Sequence, residues 1–378
     1  MPFFLLTFAP GIKLMREDFS LPDTVAPHGG NVYEVARALG IKAADLLDFS
    51  ANINPLGYPP GAVAAAAAAW GEMTHYPDRQ CRNLQEALAA YHDLSPEEIL
   101  VGNGSTELIY LVVRALRPRR ALIVTPAFSE YEAACLMCQA DTVFHPTAAE
   151  DAFSLRRAPD LRGADLVFLA NPASPSGALL APEEILPLVE AMAASGAYIV
   201  LDEAFIDFVE DASLKTHLRN FSRLIILRSF TKFFGIPGLR LGYLMAKPEL
   251  AQTLAEAQEP WSVNAVAQAV GLACLKDREF MARSRQVVRR ERDFLLTEIS
   301  RIPGLQTFPG KVNYLLVKLT APDWTAARLR QTLLEHRLLI RDASNFRGLN
   351  ERFFRVAVRL REENEKLLRA LRACRPGG

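Results

Sequence analysis

The chain has 378 residues, 50% of them hydrophobic, and its 43 basic and 43 acidic residues give a formal net charge of zero. This balance argues against a nucleic acid or an acidic membrane surface as the main partner, and the length predicts two domains or one large domain with an appendage. The sequence has no run of 18 apolar residues, so no membrane-spanning helix is expected. Five scattered cysteines favour a reducing, cytoplasmic compartment, and the six histidines lack metal-binding spacing, so we predict no metal site.

The first 25 residues are predicted to be an N-terminal extension, and residues 1–11 lack the basic front and the cleavage signal of a signal peptide. Helical patterns follow at 32–39 and in the alanine-rich stretch 62–70. From residue 99 onwards, short apolar strands alternate with helices, which predicts an α/β fold with a mainly parallel central sheet covered on both faces. The predicted strands are 99–101, 121–125, 166–170, 198–201, 224–227 and 241–245, and the predicted helices are 107–115, 129–139 and 182–194.

A second, smaller α+β unit is predicted after residue 264. Its predicted helices are 265–275, 277–301, 324–336 and 362–372, and its predicted strands are 314–318, 338–341 and 353–358. We therefore predict a large domain over 48–264 and a small domain formed by 26–47 together with 265–378. Because no low-complexity linker separates these units, we expect them to share a packed interface.

The stretch 229–243 carries the strongest chemical signal: it reads Ser-Phe-Thr-Lys-Phe-Phe-Gly-Ile-Pro-Gly-Leu-Arg-Leu-Gly-Tyr and follows a predicted buried strand. A lysine in such an apolar turn is costly unless its amine is used, and desolvation lowers a lysine pKa and makes the amine nucleophilic. Around Lys232, the side chains of Ser229, Thr231 and Arg240 are suited to bind a phosphate. A nucleophilic lysine beside an anion site suits pyridoxal phosphate, whose aldehyde forms a Schiff base with lysine.

Three further segments fall at the carboxyl ends of predicted strands, where ligands of parallel sheets bind. Asp202 could pair with a protonated pyridine nitrogen, or it could be an exposed acid at a strand end. Gly104-Ser105-Thr106 opens a helix, whose N-terminus attracts anions. Phe128 could stack on a pyridine ring, although a role as a core phenylalanine is an equal alternative.

Together these motifs resemble the fold-type-I pyridoxal-phosphate enzymes of the class I/II aminotransferase superfamily, over residues 25–372. Within it, the chain is similar to the threonine-phosphate decarboxylases of cobalamin biosynthesis in four stretches, which are 28–31, 48–57, 202–208 and 260–265. This resemblance implies a large pyridoxal-phosphate-binding domain and a homodimer with a shared active site. The activity implied is decarboxylation of L-threonine O-3-phosphate to (R)-1-amino-2-propanol O-2-phosphate and carbon dioxide.

The resemblance also implies roles for individual residues. Lys232 would form the Schiff base and Asp202 would pair with the pyridinium. The other cofactor-binding residues implied are Gly104, Ser105, Thr106, Phe128, Ser174, Ser229, Thr231, Arg240 and, from the partner subunit, Tyr76. The substrate-binding residues predicted are His28, Asn54, Arg341 and Arg355.

The chain departs from the family pattern at one position. Ser174 stands where the family has an asparagine that bonds the cofactor's 3′ oxygen, and Asn171 lies three residues earlier and does not align with it. Phe205 stands where aminotransferases have a tyrosine that contacts the same oxygen. These two residues predict that the 3′ oxygen is held only by Ser174 or by water.

Two alternatives to the decarboxylase are kept open. A histidinol-phosphate-type aminotransferase would share the fold and the cofactor, but Phe205 and the His28 segment favour the decarboxylase. A non-catalytic binding module is the second alternative, and the intact Lys232 and Asp202 argue against it.

Overall fold

The structure is a computed structural model that describes residues 28–374. The extension predicted over 1–25 and the final residues of the predicted small domain, 375–378, lie outside this range. The helices are α1 (Val32–Ala38), α2 (Gly61–Trp70), α3 (Arg82–His92), α4 (Ser105–Leu116), α5 (Glu130–Met137), α6 (Pro182–Ala194), α7 (Phe230–Phe233), α8 (Pro248–Glu256), α9 (Ala265–Lys276), α10 (Arg278–Ser300), α11 (Ala326–Glu335) and α12 (Arg361–Cys374). No helix among the described residues is both long enough and apolar enough to cross a membrane.

The strands form one large sheet and two smaller ones. They are β1 (Leu47–Asp48), β2 (Ile99–Gly102), β3 (Arg120–Thr125), β4 (Asp141–Pro146), β5 (Leu166–Ala170), β6 (Tyr198–Asp202), β7 (Leu224–Ser229), β8 (Gly242–Met245), β9 (Leu305–Thr307), β10 (Tyr314–Leu319), β11 (Leu338–Leu339), β12 (Arg341–Asp342) and β13 (Phe353–Ala357). The large sheet has the order β2-β8-β7-β6-β5-β3-β4, in which β8 alone runs in the opposite direction to the other six strands. The predicted α/β fold with a mainly parallel sheet is confirmed.

Alternate residues of the central strands enter two different hydrophobic cores. In β6, Ile199 and Leu201 pack into the core on one face, whereas Val200 packs into the core on the other. Helices α4, α5 and α8 cover this second face, and α3, α6 and α9 cover the first. Because side chains alternate along a strand, covering both faces requires the nearly continuous apolar runs seen in the sequence.

The smaller unit is built on an antiparallel sheet of order β12-β13-β10-β9, and β1 pairs with β11 beside it. Its core joins these strands to α11, α12 and the second half of α10, and it also contains Phe49. Helix α9 and the first half of α10 pack into the core of the large sheet instead. The domain boundary at residue 264 therefore remains a prediction, since the packing changes from one core to the other within α10.

The predicted helices and strands did not include α3, β4, α7, α8 and β9. Strand β4 lies at the edge of the large sheet, pairs only with β3 and has mostly half-buried side chains. An edge strand of this kind lacks the apolar run that identifies the central strands. Helix α8 follows β8 directly and covers the sheet with Leu250, Ala251 and Leu254.

Candidate active site

A cleft lies between the carboxyl ends of the parallel strands and the antiparallel sheet of the small unit. The loops after β3, β5, β6 and β7 form one wall, and Arg341 and Arg355 reach the cleft from β12 and β13. Most of the predicted site residues line this cleft. They are His28, Ser105, Thr106, Phe128, Ser174, Asp202, Ser229, Thr231, Lys232, Arg240, Arg341 and Arg355.

Lys232 projects its amine into the cleft from the one-turn helix α7. This helix begins because β7 ends at Ser229, whose side chain accepts a hydrogen bond from the backbone N–H of Thr231. Burial, together with the positive charges of Arg355 and Arg240, lowers the pKa of Lys232 to about 8 against the opposing effect of Asp202. No hydrogen bond or ion pair holds the amine among residues 28–374. Such a lysine has a substantial neutral fraction near neutral pH and can act as a nucleophile.

Asp202 ends β6 and is buried at the cleft. Its carboxylate accepts hydrogen bonds from Tyr131 Oη at 2.5 Å and from the backbone N–H of Ala204 at 2.8 Å. Burial raises the pKa of Asp202, and these two hydrogen bonds together with Lys232 oppose the rise. A buried carboxylate without a full cationic partner is suited to pair with a protonated ring nitrogen.

Sequence reasoning missed Tyr131. This tyrosine is fully buried in α5, and its ring stacks on Phe168 of β5 with centroids 4.8 Å apart and planes 7° from parallel. The only sequence signal is its position three residues after Phe128, at the start of a helix. Phe128 itself lies half-buried on the cleft, edge-on to Tyr131 with centroids 5.9 Å apart.

The predicted phosphate site is assembled from three chain segments. Ser105 and Thr106 begin α4, and the Oγ of Ser229 lies 2.8 Å from Thr231 Oγ1. Gly104 has a φ of +84°, and a Cβ there would lie 2.8 Å from the Arg240 guanidinium. A Cβ at Gly242 would lie 2.5 Å from the backbone nitrogen of Ser105, so glycine is needed for the strand to approach the helix start. Hydroxyls, a guanidinium and a helix N-terminus thus converge at one end of the cleft.

Two buried arginines form the opposite side. Arg341 and Arg355 are directly opposed in the pairing of β12 with β13. Arg341 donates to the carbonyl oxygen of Asp342 at 2.6 Å and to Asn345 Oδ1 at 2.7 Å. Burial lowers the pKa of each arginine to about 10. Both remain cationic at neutral pH, so this side of the cleft attracts anions.

His28 reaches the cleft from the segment before α1. Its Nε2 lies 2.8 Å from Glu130 Oε1, and Tyr110 Oη donates to the other oxygen of Glu130 at 2.7 Å. The His28 ring also lies against Phe128, with centroids 5.3 Å apart. Glu130 thus fixes His28 to the large unit, a role that no local sequence pattern indicates.

Asn54 lies off this cleft, and its predicted contact with the substrate stays a prediction. Its Nδ2 donates to the carbonyl oxygen of Phe233 at 2.6 Å and to Ser284 Oγ at 2.8 Å, and its Oδ1 accepts from the backbone N–H of Leu56 at 3.0 Å. The side chain is buried and lies off the cleft, so these contacts hold the turn that carries Lys232. Asn52, two residues earlier, lines the cleft instead, and its buried Oδ1 makes no hydrogen bond to the described residues.

Tyr76 also lies off the cleft of its own chain. It is 80% exposed and stacks on Trp261 with ring centroids 4.7 Å apart. The contact predicted from a partner subunit therefore stays a prediction.

The residues present fit pyridoxal phosphate. The group needs an amine for its aldehyde, donors for its phosphate, a carboxylate for its ring nitrogen and a flat neighbour for its ring. One cleft supplies all four. The amine is that of Lys232, the carboxylate is Asp202 and the flat neighbour is Phe128, and the donors form a phosphate cradle of Ser105, Thr106, Ser229, Thr231 and Arg240. The unpartnered amine and the buried carboxylate are both costly without such a ligand.

Comparison with known proteins gives a consistent result. A family model described as aminotransferase class I and II matches residues 44–371. The threonine-phosphate decarboxylase of Salmonella typhimurium is 40% identical over 91% of this chain and 95% of that protein. The histidinol-phosphate aminotransferase of Symbiobacterium thermophilum is 34% identical over 92% of this chain and 94% of that protein. A longer adenosylcobalamin biosynthesis bifunctional protein of Leptospira interrogans is 30% identical over 91% of this chain and 40% of its own length.

Two solved structures have the same fold over most of their length. The histidinol-phosphate aminotransferase from Clostridium acetobutylicum is 31% identical with a TM-score of 0.80, and 87% of this chain and 99% of that one are covered. The L-threonine-O-3-phosphate decarboxylase from Porphyromonas gingivalis is 30% identical with a TM-score of 0.79, and 86% of this chain and 98% of that one are covered.

Proposed function

The chain belongs to the aminotransferase class I and II family, and on that basis we propose that it is a pyridoxal-phosphate-dependent decarboxylase of L-threonine O-3-phosphate. The products are (R)-1-amino-2-propanol O-2-phosphate and carbon dioxide, and the pathway is the biosynthesis of adenosylcobalamin. The observation that carries this proposal is the opposed pair of buried arginines, Arg341 and Arg355, beside the amine of Lys232. Two cations on one side of the cleft suit a substrate that carries both a carboxylate and a phosphate.

The residues of the chain divide the work between binding and proton transfer. Arg341 and Arg355 bind the two anionic groups and so set which bond of the amine-bearing carbon is aligned for cleavage. The bound cofactor supplies an electron sink for that cleavage. Asp202 holds the proton on the ring nitrogen, which keeps the sink effective. Lys232, with a pKa of about 8, returns a proton to the carbon that carbon dioxide has left.

An aminotransferase acting on histidinol phosphate is the second candidate. Its support is the 34% identity and the TM-score of 0.80 to enzymes of that name. The identity to a threonine-phosphate decarboxylase is higher, at 40%. Phe205, which lines the cleft, offers no hydroxyl where the aminotransferases have tyrosine.

We also propose a cytoplasmic homodimer. Support for the dimer comes from aromatic side chains that a single chain leaves exposed, among them Trp70 at 69% and Tyr76 at 80%. Large exposed aromatic surfaces mark interaction sites. Support for a reducing compartment comes from the five cysteines, none of which forms a disulfide in the structure.

The deciding experiment incubates the pyridoxal-phosphate-loaded protein with L-threonine O-3-phosphate and measures carbon dioxide, with and without 2-oxoglutarate. Release that does not need the 2-oxo acid is the expected result. No release, together with amino transfer when the 2-oxo acid is present, would establish the aminotransferase instead.

A further inference from the structure

Ser174 connects the two sides of the cleft. It follows β5 in the large unit, and its Oγ accepts a hydrogen bond from Arg355 Nη1 at 3.2 Å. Arg355 also donates from Nη2 to the carbonyl oxygen of Ser50 at 3.3 Å, whereas its buried Nε has no hydrogen-bond partner in the described part of the chain. Within residues 28–374, Ser174 is thus the side chain that fixes this guanidinium by a hydrogen bond.

The neighbours of Ser174 direct its hydroxyl proton towards other protein atoms rather than into the cleft. Tyr314 lies under the Arg355 guanidinium, which is 5.1 Å from the ring centroid, and its Oη donates to the carbonyl oxygen of Ala173 at 2.8 Å. Burial raises the pKa of Tyr314, and a hydrogen bond from the Ser174 hydroxyl is one of the effects that oppose this rise. A serine that accepts from Arg355 and donates to Tyr314 has used its one proton.

The remaining side chains of this wall offer no donor either. Phe205 packs edge-on against Tyr314, with centroids 5.0 Å apart, and carries no polar atom. Asn171 does not line the cleft, and its amide donates to the carbonyl oxygen of Leu180 at 3.0 Å and accepts from the Leu180 N–H at 2.9 Å. In pyridoxal phosphate the ring hydroxyl lies on the opposite side of the aldehyde carbon from the phosphate arm. With the phosphate at the start of α4 and the nitrogen at Asp202, that oxygen would face Ser174 and Phe205.

We propose that Ser174 is a positioning residue for Arg355 and that positions 174 and 205 give the cofactor's ring oxygen no hydrogen-bond donor. The role of Arg355 in binding substrate rests on the proposed function. The absence of a donor to the ring oxygen does not rest on the proposed function, because it can be measured in the resting protein without substrate. A donor to an ionised oxygen stabilises the deprotonated form of the lysine–cofactor linkage. Without such a donor, the linkage keeps its proton to higher pH.

The first test is an absorbance titration of the resting holoprotein, in which the pKa of the linkage is read from its long-wavelength band. We expect Ser174→Ala to leave this pKa unchanged, and we expect Phe205→Tyr and Ser174→Asn each to lower it by about one unit. A rise of about one unit in Ser174→Ala would show that the serine donates to the ring oxygen and would overturn the proposal. A Phe205→Tyr titration identical to that of the wild type would overturn the location given for the oxygen.

The second test separates positioning from folding. With L-threonine O-3-phosphate, Ser174→Ala should raise KM about tenfold with little change in kcat, and Ser174→Thr, which keeps the hydroxyl, should restore KM. Ser176→Ala is the matched control, because Ser176 lies in the same loop and bonds the backbone N–H of Ala178 instead. An unchanged KM in Ser174→Ala would overturn the positioning role. A wild-type protein without decarboxylase activity would overturn the proposed function but leave the titration informative.

Discussion

Arg341 and Arg355 face each other across two antiparallel strands, with their side chains buried at the cleft. Like charges at directly opposed positions of a sheet destabilise it, and burial adds the cost of desolvation. The short pairing of β12 with β13 therefore carries an unfavourable charge arrangement that a bound anion relieves.

An anion should consequently stabilise the holoprotein. We expect saturating inorganic phosphate to raise the melting temperature of the pyridoxal-phosphate-loaded protein by roughly 2–6 °C, since a ligand that binds only the folded state stabilises it by mass action. Loading the cofactor first keeps inorganic phosphate out of the phosphate cradle, because the cofactor's own phosphate occupies it. The variant Arg341→Gln should lose most of this shift in a thermal denaturation experiment.

The control for this experiment is Arg372→Gln, which removes the positive charge of an exposed arginine on α12 that pairs with Glu298 on α10. It should respond to phosphate as the wild type does. If Arg341→Gln showed the same phosphate response as the wild type, the arginine pair would not be the anion site.

The pKa of Lys232 makes a second prediction. Only the neutral amine attacks the cofactor's aldehyde, so the rate of attachment to the apoprotein should rise with pH and level off above about 8. The positive charge of Arg355 lowers this pKa, so Arg355→Gln should move the plateau to higher pH. Stopped-flow absorbance measures both profiles. The free cofactor titrates identically in both experiments, so the difference between the two pH profiles measures the change in the pKa of Lys232.

Lys232→Ala is the control and should show no covalent spectral change while keeping its circular dichroism. Superimposable profiles for the wild type and Arg355→Gln would show that the arginine charge does not reach the amine. A wild-type rate that keeps rising to pH 10 would show an ordinary lysine pKa.

The predictable part of the site is the part that the chain forms locally. Lys232 and Asp202 follow strands whose apolar runs are plain in the sequence, and the carboxyl ends of parallel strands meet at one edge. The convergence of Lys232 and Asp202 follows from that rule. The central strands could be predicted from their apolar runs, whereas the half-buried edge strand β4 could not.

The unpredicted part depends on contacts between distant segments. Tyr131 lies 71 residues before its partner Asp202, and Glu130 lies 102 residues after His28. Asn54 donates a hydrogen bond to Ser284, which is 230 residues away, and no sequence pattern indicated this contact. No local periodicity reports which side chain points into the cleft, and single-sequence reasoning has no other source for such pairings.

The hydrogen bond from Tyr131 to Asp202 gives a third prediction. It lowers the pKa of a carboxylate that burial otherwise raises, so Tyr131→Phe should raise that pKa further. The carboxylate would then protonate at higher pH, and activity should fall earlier as the pH decreases. We expect the acidic limb of the kcat/KM profile to move upwards by about one unit.

Tyr198→Phe is a matched control, because Tyr198 begins β6 at the end away from Asp202. Its acidic limb should coincide with that of the wild type, whereas Asp202→Asn should be inactive at every pH. An acidic limb in Tyr131→Phe that coincides with that of Tyr198→Phe would mean that Asp202 does not govern it.

Tyr76 gives the last prediction, which concerns the dimer. It is 80% exposed and does not line the cleft of its own chain, so any contact with the cofactor comes from the partner subunit. Homodimers of Tyr76→Ala should bind the cofactor weakly, and homodimers of Lys232→Ala should be inactive. Differently tagged copies of the two variants, expressed together and purified as hybrids, should regain up to half of the wild-type activity at limiting cofactor concentration.

The gain arises because one of the two sites in the hybrid combines an intact Lys232 with an intact Tyr76 from the other chain. If Tyr76 acted within its own chain, each site of the hybrid would lack one of the two residues and no activity would return. A mixture of the separate homodimers, assayed before subunits can exchange, is the control for the hybrid and should show only the weak activity of Tyr76→Ala.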